Sequence, residues 1–240
     1  MLHVEDVTAG YGRTKVLDGI NLDLERGQVL AVVGPNGAGK STLMRAISGA
    51  IPLWKGRIHC DGTELTAFSV EERCEFGVVL CPEGRRIFSS LSVEENLVLG
   101  ANPARQRQGY AAALRAGLER AYALFPILNE RRRASGGALS GGQQQMLAIA
   151  RALMSNPRLL LLDEPSLGLS PKLADQVYVA LAALKAGGLT TIIVEEAVGR
   201  PLALAEEGIV MRGGCIVRRE SARSLAAGNL AFAYLGPGSA

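Results

Sequence analysis

The chain contains 240 residues, of which 48% are hydrophobic and 20% are charged, and its formal net charge is +3. This composition is ordinary for a globular chain of one large domain or two small ones, and it excludes an extended disordered protein. The small positive charge does not by itself indicate nucleic-acid binding, and four cysteines without a C-x-x-C pair favour free thiols over a zinc site or a disulfide framework.

The first predicted elements are two strands near the N-terminus. Residues 2–7 and 20–24 alternate apolar with polar side chains, which is typical of antiparallel strands with one solvated face. The same stretch lacks the basic and apolar regions of a signal peptide, and no window of about 18 residues in the chain is apolar enough to cross a membrane. We therefore expect any membrane role to be exercised through a partner protein.

Later segments are continuously apolar, as expected for strands that are covered on both faces of a parallel α/β sheet. They comprise residues 29–33, 76–80, 159–162 and 190–194. Towards the end of the chain, residues 208–212 and 215–218 flank a Gly-Gly pair and predict a β-hairpin.

Helical patterns separate these strands. Apolar residues recur at helical spacing over residues 43–50, 144–154 and 173–184. The region from about 83 to 135 is more polar, and we interpret it as an inserted helical subdomain. Its arginines include Arg105, Arg107, Arg115 and the run 131–133. The sequence thus predicts one α/β domain, with the core and an antiparallel β-subdomain in about 2–82 and 156–235, and the helical subdomain in about 83–155.

A glycine-rich loop follows the strand predicted at 29–33. Its sequence, Gly34-Pro-Asn-Gly-Ala-Gly-Lys-Ser-Thr42, fits the pattern G-x-x-x-x-G-K-[ST], in which backbone N–H groups and the next helix start hold phosphate groups. Lys40 is expected to reach the β- and γ-phosphates, and the Ser41 hydroxyl is expected to bind Mg²⁺. The predicted nucleotide-binding residues of the loop are Gly34, Pro35, Asn36, Gly37, Ala38, Gly39, Lys40, Ser41 and Thr42. A chance turn containing lysine is the alternative, but the strand before and the helix after favour the phosphate site.

The strand predicted at 159–162 ends in two carboxylates, Asp163 and Glu164. Ligands bind at the carboxyl ends of strands in α/β sheets, so Asp163 is predicted to hold Mg²⁺ and Glu164 to act as the general base that activates water. The alternative is that the pair only ends the strand. Its occurrence together with the phosphate loop favours the catalytic interpretation.

A second glycine-containing helix start, Leu139-Ser-Gly-Gly-Gln143, precedes the helix predicted at 144–154. Its serine hydroxyl, two glycines and helix N-terminus predict another anion site, whereas an ordinary capped helix start is the alternative. The predicted contact residues are Ser140, Gly141, Gly142 and Gln143. The similar Ser135-Gly-Gly137 is expected to be a loop, because no apolar helical pattern follows it directly.

Together, the phosphate loop, the LSGGQ element and the strand ending in Asp-Glu resemble an ATP-binding cassette (ABC) ATPase over nearly the whole chain. The resemblance implies a P-loop NTPase (RecA-like) core with a mainly parallel sheet, and a helical subdomain that carries the LSGGQ signature. It also implies ATP and Mg²⁺ as cofactors, and a dimer in which each signature closes over ATP held by the other subunit. Tyr11 matches the family's adenine-stacking aromatic and Val16 its apolar residue beside the ribose, although a surface aromatic is the alternative for Tyr11.

Short segments resemble, more specifically, the second ATPase subunit of branched-chain amino acid importers. They are residues 82–88, 166–170 and 233–236. This resemblance implies a sister ABC ATPase (or the chain itself, in a homodimer), two transmembrane permeases and, indirectly, a solute-binding protein. It also implies a place at the cytoplasmic face of the plasma membrane, and no nucleic-acid partner. The solute itself stays open, since related importers carry amides or urea.

Two acidic residues depart from the family pattern. The chain has only two histidines, both before the signature, and Glu196 stands where the family has a histidine near the γ-phosphate. A carboxylate about 4 Å from a phosphate oxygen costs about 4 kcal/mol at an effective dielectric constant of about 20. We therefore hypothesise that this subunit's phosphate site is catalytically weaker than its sister's. Glu83, where the family has glutamine, is either a Mg²⁺ ligand or a solvated carboxylate.

The sequence thus predicts an ATPase that energises a membrane importer, with two alternatives. A non-transport ABC ATPase that acts on nucleic acid or ribosomes is disfavoured, because those relatives usually carry two cassettes or a long coiled coil, and neither is evident. A regulatory subunit with a weakened site is favoured by Glu83 and Glu196. Lys40, Asp163 and Glu164 argue against it, since together they supply the catalytic groups.

Overall fold

The computed structural model describes residues 1–102 and 109–228. Arg105, Arg107 and the segment 233–236, which entered the sequence predictions, lie outside these ranges. The strands of the described residues are, in chain order, β1 (Leu2–Tyr11), β2 (Thr14–Leu24), β3 (Val29–Val33), β4 (Leu53–Cys60), β5 (Thr63–Glu64), β6 (Val78–Cys81), β7 (Leu159–Asp163), β8 (Thr190–Glu195), β9 (Glu207–Arg212) and β10 (Cys215–Ser221). The helices are α1 (Lys40–Ile47), α2 (Val70–Phe76), α3 (Val93–Gly100), α4 (Tyr110–Leu124), α5 (Pro126–Glu130), α6 (Gly141–Leu153), α7 (Pro171–Ala186), α8 (Gly199–Leu204) and α9 (Ala222–Ala227).

A mainly parallel sheet has the strand order β10-β9-β3-β8-β7-β6. The strands from β9 to β6 run parallel, whereas β10 pairs antiparallel with β9 in the predicted hairpin. The α/β fold is therefore confirmed. Every residue of β3, β7 and β8 is buried, which explains why their sequences are apolar without alternation. The strand predicted at 76–80 is shifted, because Phe76 ends α2 and Gly77 turns the chain in a left-handed cap before β6.

A smaller antiparallel sheet has the order β2-β1-β4-β5. The pairing of β1 with β2 confirms the N-terminal prediction and extends it, since Leu2 lies opposite Leu24 and Tyr11 lies opposite Thr14. Alternating burial along β2 places its apolar side chains in the core. Strands β4 and β5 were missed by the sequence prediction, because the LWKGRIHC segment mixes charged residues and a glycine into its apolar positions.

Helices α3, α4, α5 and α6 lie between β6 and β7 along the chain, and their apolar side chains share one hydrophobic cluster with the sheet. Our subdivision into a core and a helical subdomain stays a proposal. Helix α6 begins at Gly141, earlier than the predicted 144, because Ser140 caps it. The predicted loop at Ser135 instead leads into a short 3-10 turn, Gly136–Ala138, in which the Ser135 hydroxyl accepts the N–H of Gly137 at 3.2 Å.

The carboxyl ends of β3, β7 and β8 meet at one edge of the parallel sheet. In the register of the strands, Val33 lies beside Glu195, and Asp163 lies beside Val194. The phosphate loop leaves β3 at this same edge, so residues from distant parts of the sequence converge there. Within the described ranges, none of the helices combines the length and the apolar character that a membrane span requires.

Candidate active site

The loop between β3 and α1 contains glycines in left-handed conformations and leads directly into a helix start. Gly37 and Gly39 adopt left-handed angles, with φ of 79° and 101°, which glycine accommodates without strain. Gly39 directly precedes α1, so the free N–H groups and partial positive charge of the helix start lie next to the loop. Lys40 is buried, and its Nζ donates a hydrogen bond to the carbonyl oxygen of Gly34 at 2.7 Å. A cation and a row of N–H donors therefore lie together.

A cleft of about 280 Å³ opens against this loop. Its lining consists of Val16, Asn36, Gly37, Ala38, Gly39, Lys40, Ser41, Thr42, Glu83, Glu164, Leu167 and Glu196. All of these except Leu167 were predicted site residues, so the structure brings the predicted nucleotide, metal and catalytic groups together. A larger cavity of about 890 Å³, between α5 and α7, is largely apolar and contains none of the predicted site residues.

Gly34 is the loop position that tolerates a side chain least. A Cβ on it would lie 2.3 Å from the carbonyl oxygen of Met211 in β9. We expect Gly34→Ala to push the loop off β9 and to weaken ATP binding at least about tenfold, since such overpacking costs about 1–3 kcal/mol. Titration calorimetry with ATP measures this, and Gly199→Ala is the control, because a Cβ on Gly199 meets no atom within 4 Å. An unchanged Kd in Gly34→Ala would contradict the assignment of the loop.

Ser41 and Asp163 are neighbours although they are far apart in the sequence. The hydroxyl of Ser41 donates to Oδ1 of Asp163 at 3.0 Å, and Asp163 is buried. Burial raises the pKa of Asp163, so a cation beside it would favour the ionised carboxylate. Hydroxyl and carboxylate oxygens are ligands that Mg²⁺ prefers, so the pair fits this ion. The described residues hold no group of three or more His, Cys, Asp or Glu side chains suited to a metal, and further ligands would be phosphate oxygens and water.

Glu164 is held in the cleft by the end of β8. Its backbone N–H donates to the carbonyl oxygen of Val194 at 2.9 Å, and its Oε2 accepts the backbone N–H of Glu196 at 3.1 Å. The Nζ of Lys40 lies 3.8 Å from its Oε1. Burial, followed by the neighbouring carboxyl of Glu195, raises the pKa of Glu164 to about 7. A carboxyl group that titrates near neutrality in a cleft has the properties of a general base.

Glu83 and Glu196 line the same cleft, and both are exposed. With Glu164, they give the lining three carboxyl groups against one cationic side chain, that of Lys40. Bound ATP would add further negative charge to this cleft. An additional cation beside the phosphates would offset this charge, and Ser41 and Asp163 have the oxygen atoms to hold one.

Tyr11 is not among the residues that line the cleft. Its side chain is 42% exposed, and its hydroxyl accepts a hydrogen bond from Arg45 at 2.8 Å. Val16, in contrast, does line the cleft beside the phosphate loop. Stacking of adenine on Tyr11 stays a prediction.

The signature residues also lie outside the lining of the cleft. The Ser140 hydroxyl accepts the N–H of Gln143 at 3.4 Å, and Gln143 Oε1 accepts the N–H of Ser140 at 3.0 Å, which is a capping box. The guanidinium of Arg85 donates a hydrogen bond to the side chain of Gln144 at 3.2 Å. The same guanidinium lies so close to Gly141 that a Cβ on this glycine would be 2.8 Å from it. The capped helix start is thus observed, and anion binding by the signature stays a prediction.

Glu195 is a site residue to which the sequence prediction gave no role. It ends β8 with only 2% of its surface exposed, and its carboxyl group contacts that of Glu164. The signal in the sequence was an acidic residue that directly follows a continuously apolar strand. Only the register of β7 and β8 brings the end of β8, with Glu195, next to the end of β7, which Glu164 directly follows.

The sequence profile of the family described as "ABC transporter" matches residues 17–167 of the chain. The chain belongs to the ABC transporter family. Its cassettes bind and hydrolyse ATP, so the chain is an ABC ATPase, and the resemblance inferred from the motifs is confirmed. The matched region contains the phosphate loop, the signature and the Asp163-Glu164 pair.

Curated relatives and solved structures agree with this assignment over almost the full length. The chain is 38% identical over 237 residues to the "High-affinity branched-chain amino acid transport ATP-binding protein BraG" of Pseudomonas aeruginosa, covering 98% of this chain and 100% of that protein. It is 32% identical to a "Probable branched-chain amino acid transport ATP-binding protein LivF" of Archaeoglobus fulgidus, covering 94% of each. A nucleotide-free ATP-binding cassette from an ABC transporter aligns with a TM-score of 0.83 at 27% identity, covering 99% of both chains. The ADP conformation of the cassette MJ1267 aligns with a TM-score of 0.83 at 28% identity, again covering 99% of both chains.

Proposed function

We propose that this ABC ATPase energises a membrane importer for branched-chain amino acids or for related solutes such as amides or urea. The observation that carries the proposal is the similarity to BraG, a protein named for branched-chain amino acid transport. This similarity extends over the whole of BraG. In this role the chain works at the cytoplasmic face of the membrane with two permease subunits. A sister ATPase or a second copy of the chain completes the cassette dimer, and a solute-binding protein delivers the solute.

We assign the phosphates of ATP to the loop between β3 and α1. N–H groups at the start of α1 donate to phosphate oxygens, and the Lys40 ammonium exchanges its bond to the Gly34 carbonyl for the β- and γ-phosphates. Ser41, Asp163 and Glu83 offer oxygen ligands to Mg²⁺. When bound, Mg²⁺ neutralises the negative charge that develops on the phosphates during hydrolysis.

Glu164 accepts the proton of the attacking water in this scheme. The N–H of Glu196 orients one oxygen of its carboxylate, and the other lies 3.8 Å from the Lys40 ammonium, on the phosphate side of the cleft. A positioned base of this kind accelerates a reaction by about 10²–10⁴-fold. Hydrolysis therefore depends on the correct direction of this one carboxyl group.

The signature is assigned to the ATP of the partner subunit. Ser140, Gly141, Gly142 and Gln143 do not line the cleft of their own chain, which supports a role across a dimer interface. The start of α6 would then present its N–H groups to the partner's γ-phosphate. Tyr11 and Val16 are assigned to the adenine and the ribose of the chain's own nucleotide.

Co-purification and solute-stimulated hydrolysis test the transport role. A tagged full-length chain, extracted in detergent from its native membranes, is expected to bring two permeases into the eluate. In proteoliposomes with the solute-binding protein, leucine, isoleucine or valine is expected to raise the ATPase rate, whereas ribose is not. Stimulation by urea or amides would reassign the solute class. Recovery of ribosomes or nucleic acid in place of permeases would overturn the transport role.

Glu196 is the residue on which the hypothesis of a weakened site depends. Its carboxylate lines the cleft where the family has a histidine, and repulsion of phosphate at about 4 Å costs about 4 kcal/mol at an effective dielectric constant of about 20. We expect Glu196→Gln to raise kcat and to lower KM for ATP, each by about threefold or more, because it removes part of this repulsion. Phosphate release is the measurement, and Glu130→Gln at the end of α5 is the control. Unchanged kinetic constants would contradict the hypothesis.

A further inference from the structure

Glu195 accepts several hydrogen bonds and lies beside Glu164, the proposed general base. Three donors converge on Oε1 of Glu195. They are the backbone N–H of Ser166 at 2.9 Å, the hydroxyl of Ser166 at 2.7 Å and the hydroxyl of Tyr178 at 3.2 Å. Ser166 lies in the segment that follows Glu164, and Tyr178 lies in α7. Glu195 thus connects the end of β8 to two other elements of the fold.

These three donors keep their protons over the pH range in which the protein works. The backbone N–H and the serine hydroxyl do not titrate there. Burial, followed by the nearby charge of Glu195, raises the pKa of Tyr178 far above its ordinary value, so its hydroxyl remains a donor. All three bonds use the same oxygen, and the second oxygen of Glu195 is not engaged by them.

The partner of Glu195 on its other side is Glu164. The carboxyl groups of the two residues are in contact, and a hydrogen bond joins them when one of the two carries a proton. Within the described residues, no lysine, arginine or histidine forms an ion pair with Glu195. Buried acidic groups are normally paired with a cation, so a carboxyl pair at this position is a specific arrangement rather than ordinary core packing.

The contacts of Glu164 show how the direction of its carboxyl group is restrained. Its backbone is bound to β8, and one carboxyl oxygen is bound to the N–H of Glu196. The contact with the Glu195 carboxyl group adds a third attachment, which restrains the rotation of the Glu164 side chain about its terminal bonds. Through Ser166, the same attachment couples the direction of the Glu164 carboxyl to the segment 166–170, in which Leu167 is 51% exposed and lines the cleft.

We propose that Glu195 is a positioning residue for ATP hydrolysis, which holds the carboxyl of Glu164 in the cleft and ties it to Ser166 and Tyr178. The proposal rests on the role of Glu164 as general base, proposed above. Glu195 is not among the residues that line the cleft. It therefore acts on the rate of the chemical step and not on the binding of ATP.

The test compares Glu195→Ala with Glu195→Gln in the full-length chain, using phosphate release from ATP in the presence of Mg²⁺. Glu195→Ala is expected to lower kcat at least about tenfold, because a misdirected catalytic group costs up to about a hundredfold, while KM for ATP changes less than about twofold. Glu195→Gln is expected to stay within about threefold of the wild-type kcat, because glutamine keeps an acceptor for Ser166 and Tyr178 and an N–H donor for Glu164.

A tyrosine–glutamate pair outside the cleft supplies matched controls. The hydroxyl of Tyr122 donates to Glu94 at 3.2 Å, the same distance as in the Tyr178–Glu195 pair. Glu94→Ala is expected to leave kcat unchanged. If Glu195→Ala does not fold, as judged by circular dichroism, Tyr178→Phe replaces it in the test. It is expected to lower kcat about threefold through the loss of one hydrogen bond, whereas Tyr122→Phe has no effect.

Two results would overturn the inference. One is an unchanged kcat in folded Glu195→Ala or, where that variant does not fold, in Tyr178→Phe. The other is a Glu195→Gln variant as impaired as Glu195→Ala. Glu164→Gln in the same assay separates this inference from the proposed role of Glu164. If Glu164→Gln retains the wild-type rate, the assignment of the base is wrong and the inference fails with it. If only Glu164→Gln loses activity, the inference alone fails.

Discussion

Replacing Glu164 with glutamine is expected to reduce the rate of ATP hydrolysis at least about a hundredfold, while the Kd for ATP stays within about threefold of the wild type. Glutamine has nearly the same shape and still accepts the N–H of Glu196, but it cannot take a proton from water. The pKa of Glu164, raised to about 7 chiefly by burial, matches the range in which a general base is most effective. Phosphate release measures the rate, and titration calorimetry measures the Kd.

The matched control for Glu164→Gln is Glu130→Gln. Glu130 is an exposed carboxylate at the end of α5, and its replacement should leave kcat unchanged. The purified chain alone is the cleanest material, because every nucleotide site in it belongs to this sequence. In a mixed dimer the loss would be smaller, since the sister's site continues to hydrolyse ATP. A loss of less than about threefold in the chain alone would show that another group accepts the proton.

Replacing Lys40 with alanine is expected to weaken ATP binding at least about a hundredfold. The ammonium would make charge-assisted hydrogen bonds to two phosphates, each worth about 1.5–3 kcal/mol, and about 2.7 kcal/mol corresponds to a hundredfold change in Kd. Lys40 is only 5% exposed, so little of its interaction with phosphate is screened by solvent. The substitution also leaves the Gly34 carbonyl without the bond that it now accepts at 2.7 Å. Titration calorimetry with ATP measures the Kd.

The control for Lys40→Ala is Lys15→Ala. Lys15 is exposed and forms an ion pair with Asp18 at 2.6 Å on the surface of the antiparallel sheet. Its replacement should leave the Kd for ATP unchanged, because surface ion pairs contribute little. Circular dichroism verifies that both variants fold. Equal affinities of the Lys40→Ala variant and the wild type would contradict the assignment of the phosphate loop.

Much of the fold followed from local sequence patterns. The uninterrupted apolar sequences of β3, β7 and β8 predicted strands buried on both faces, and the structure confirms them. The phosphate loop was equally clear, because its glycines and lysine act within one short loop and one helix start. Such features depend on neighbours in the chain, and the sequence records those neighbours directly.

Other elements depended on contacts between distant segments. Strand β4 pairs with β1 although its own apolar pattern is interrupted, since it is stabilised by its neighbour and not by alternation. Helix α6 begins at Gly141 and not at the predicted residue 144. The capping box of Ser140 stabilises the first turn, although its two glycines have low helix propensity. In both cases the tertiary or capping interaction outweighs the local preference.

The sequence by itself determined the family, the chemistry of the phosphate loop and the presence of two carboxylates after a buried strand. The tertiary structure alone decided which acidic groups share the cleft. The order of β3, β8 and β7 brings Lys40, Glu164 and Glu196 together in the cleft. It also places Glu195 in contact with Glu164, the proposed base. The physical reason is that a motif acts through chain neighbours, whereas the environment of a carboxyl group is set by burial and by charges from remote segments.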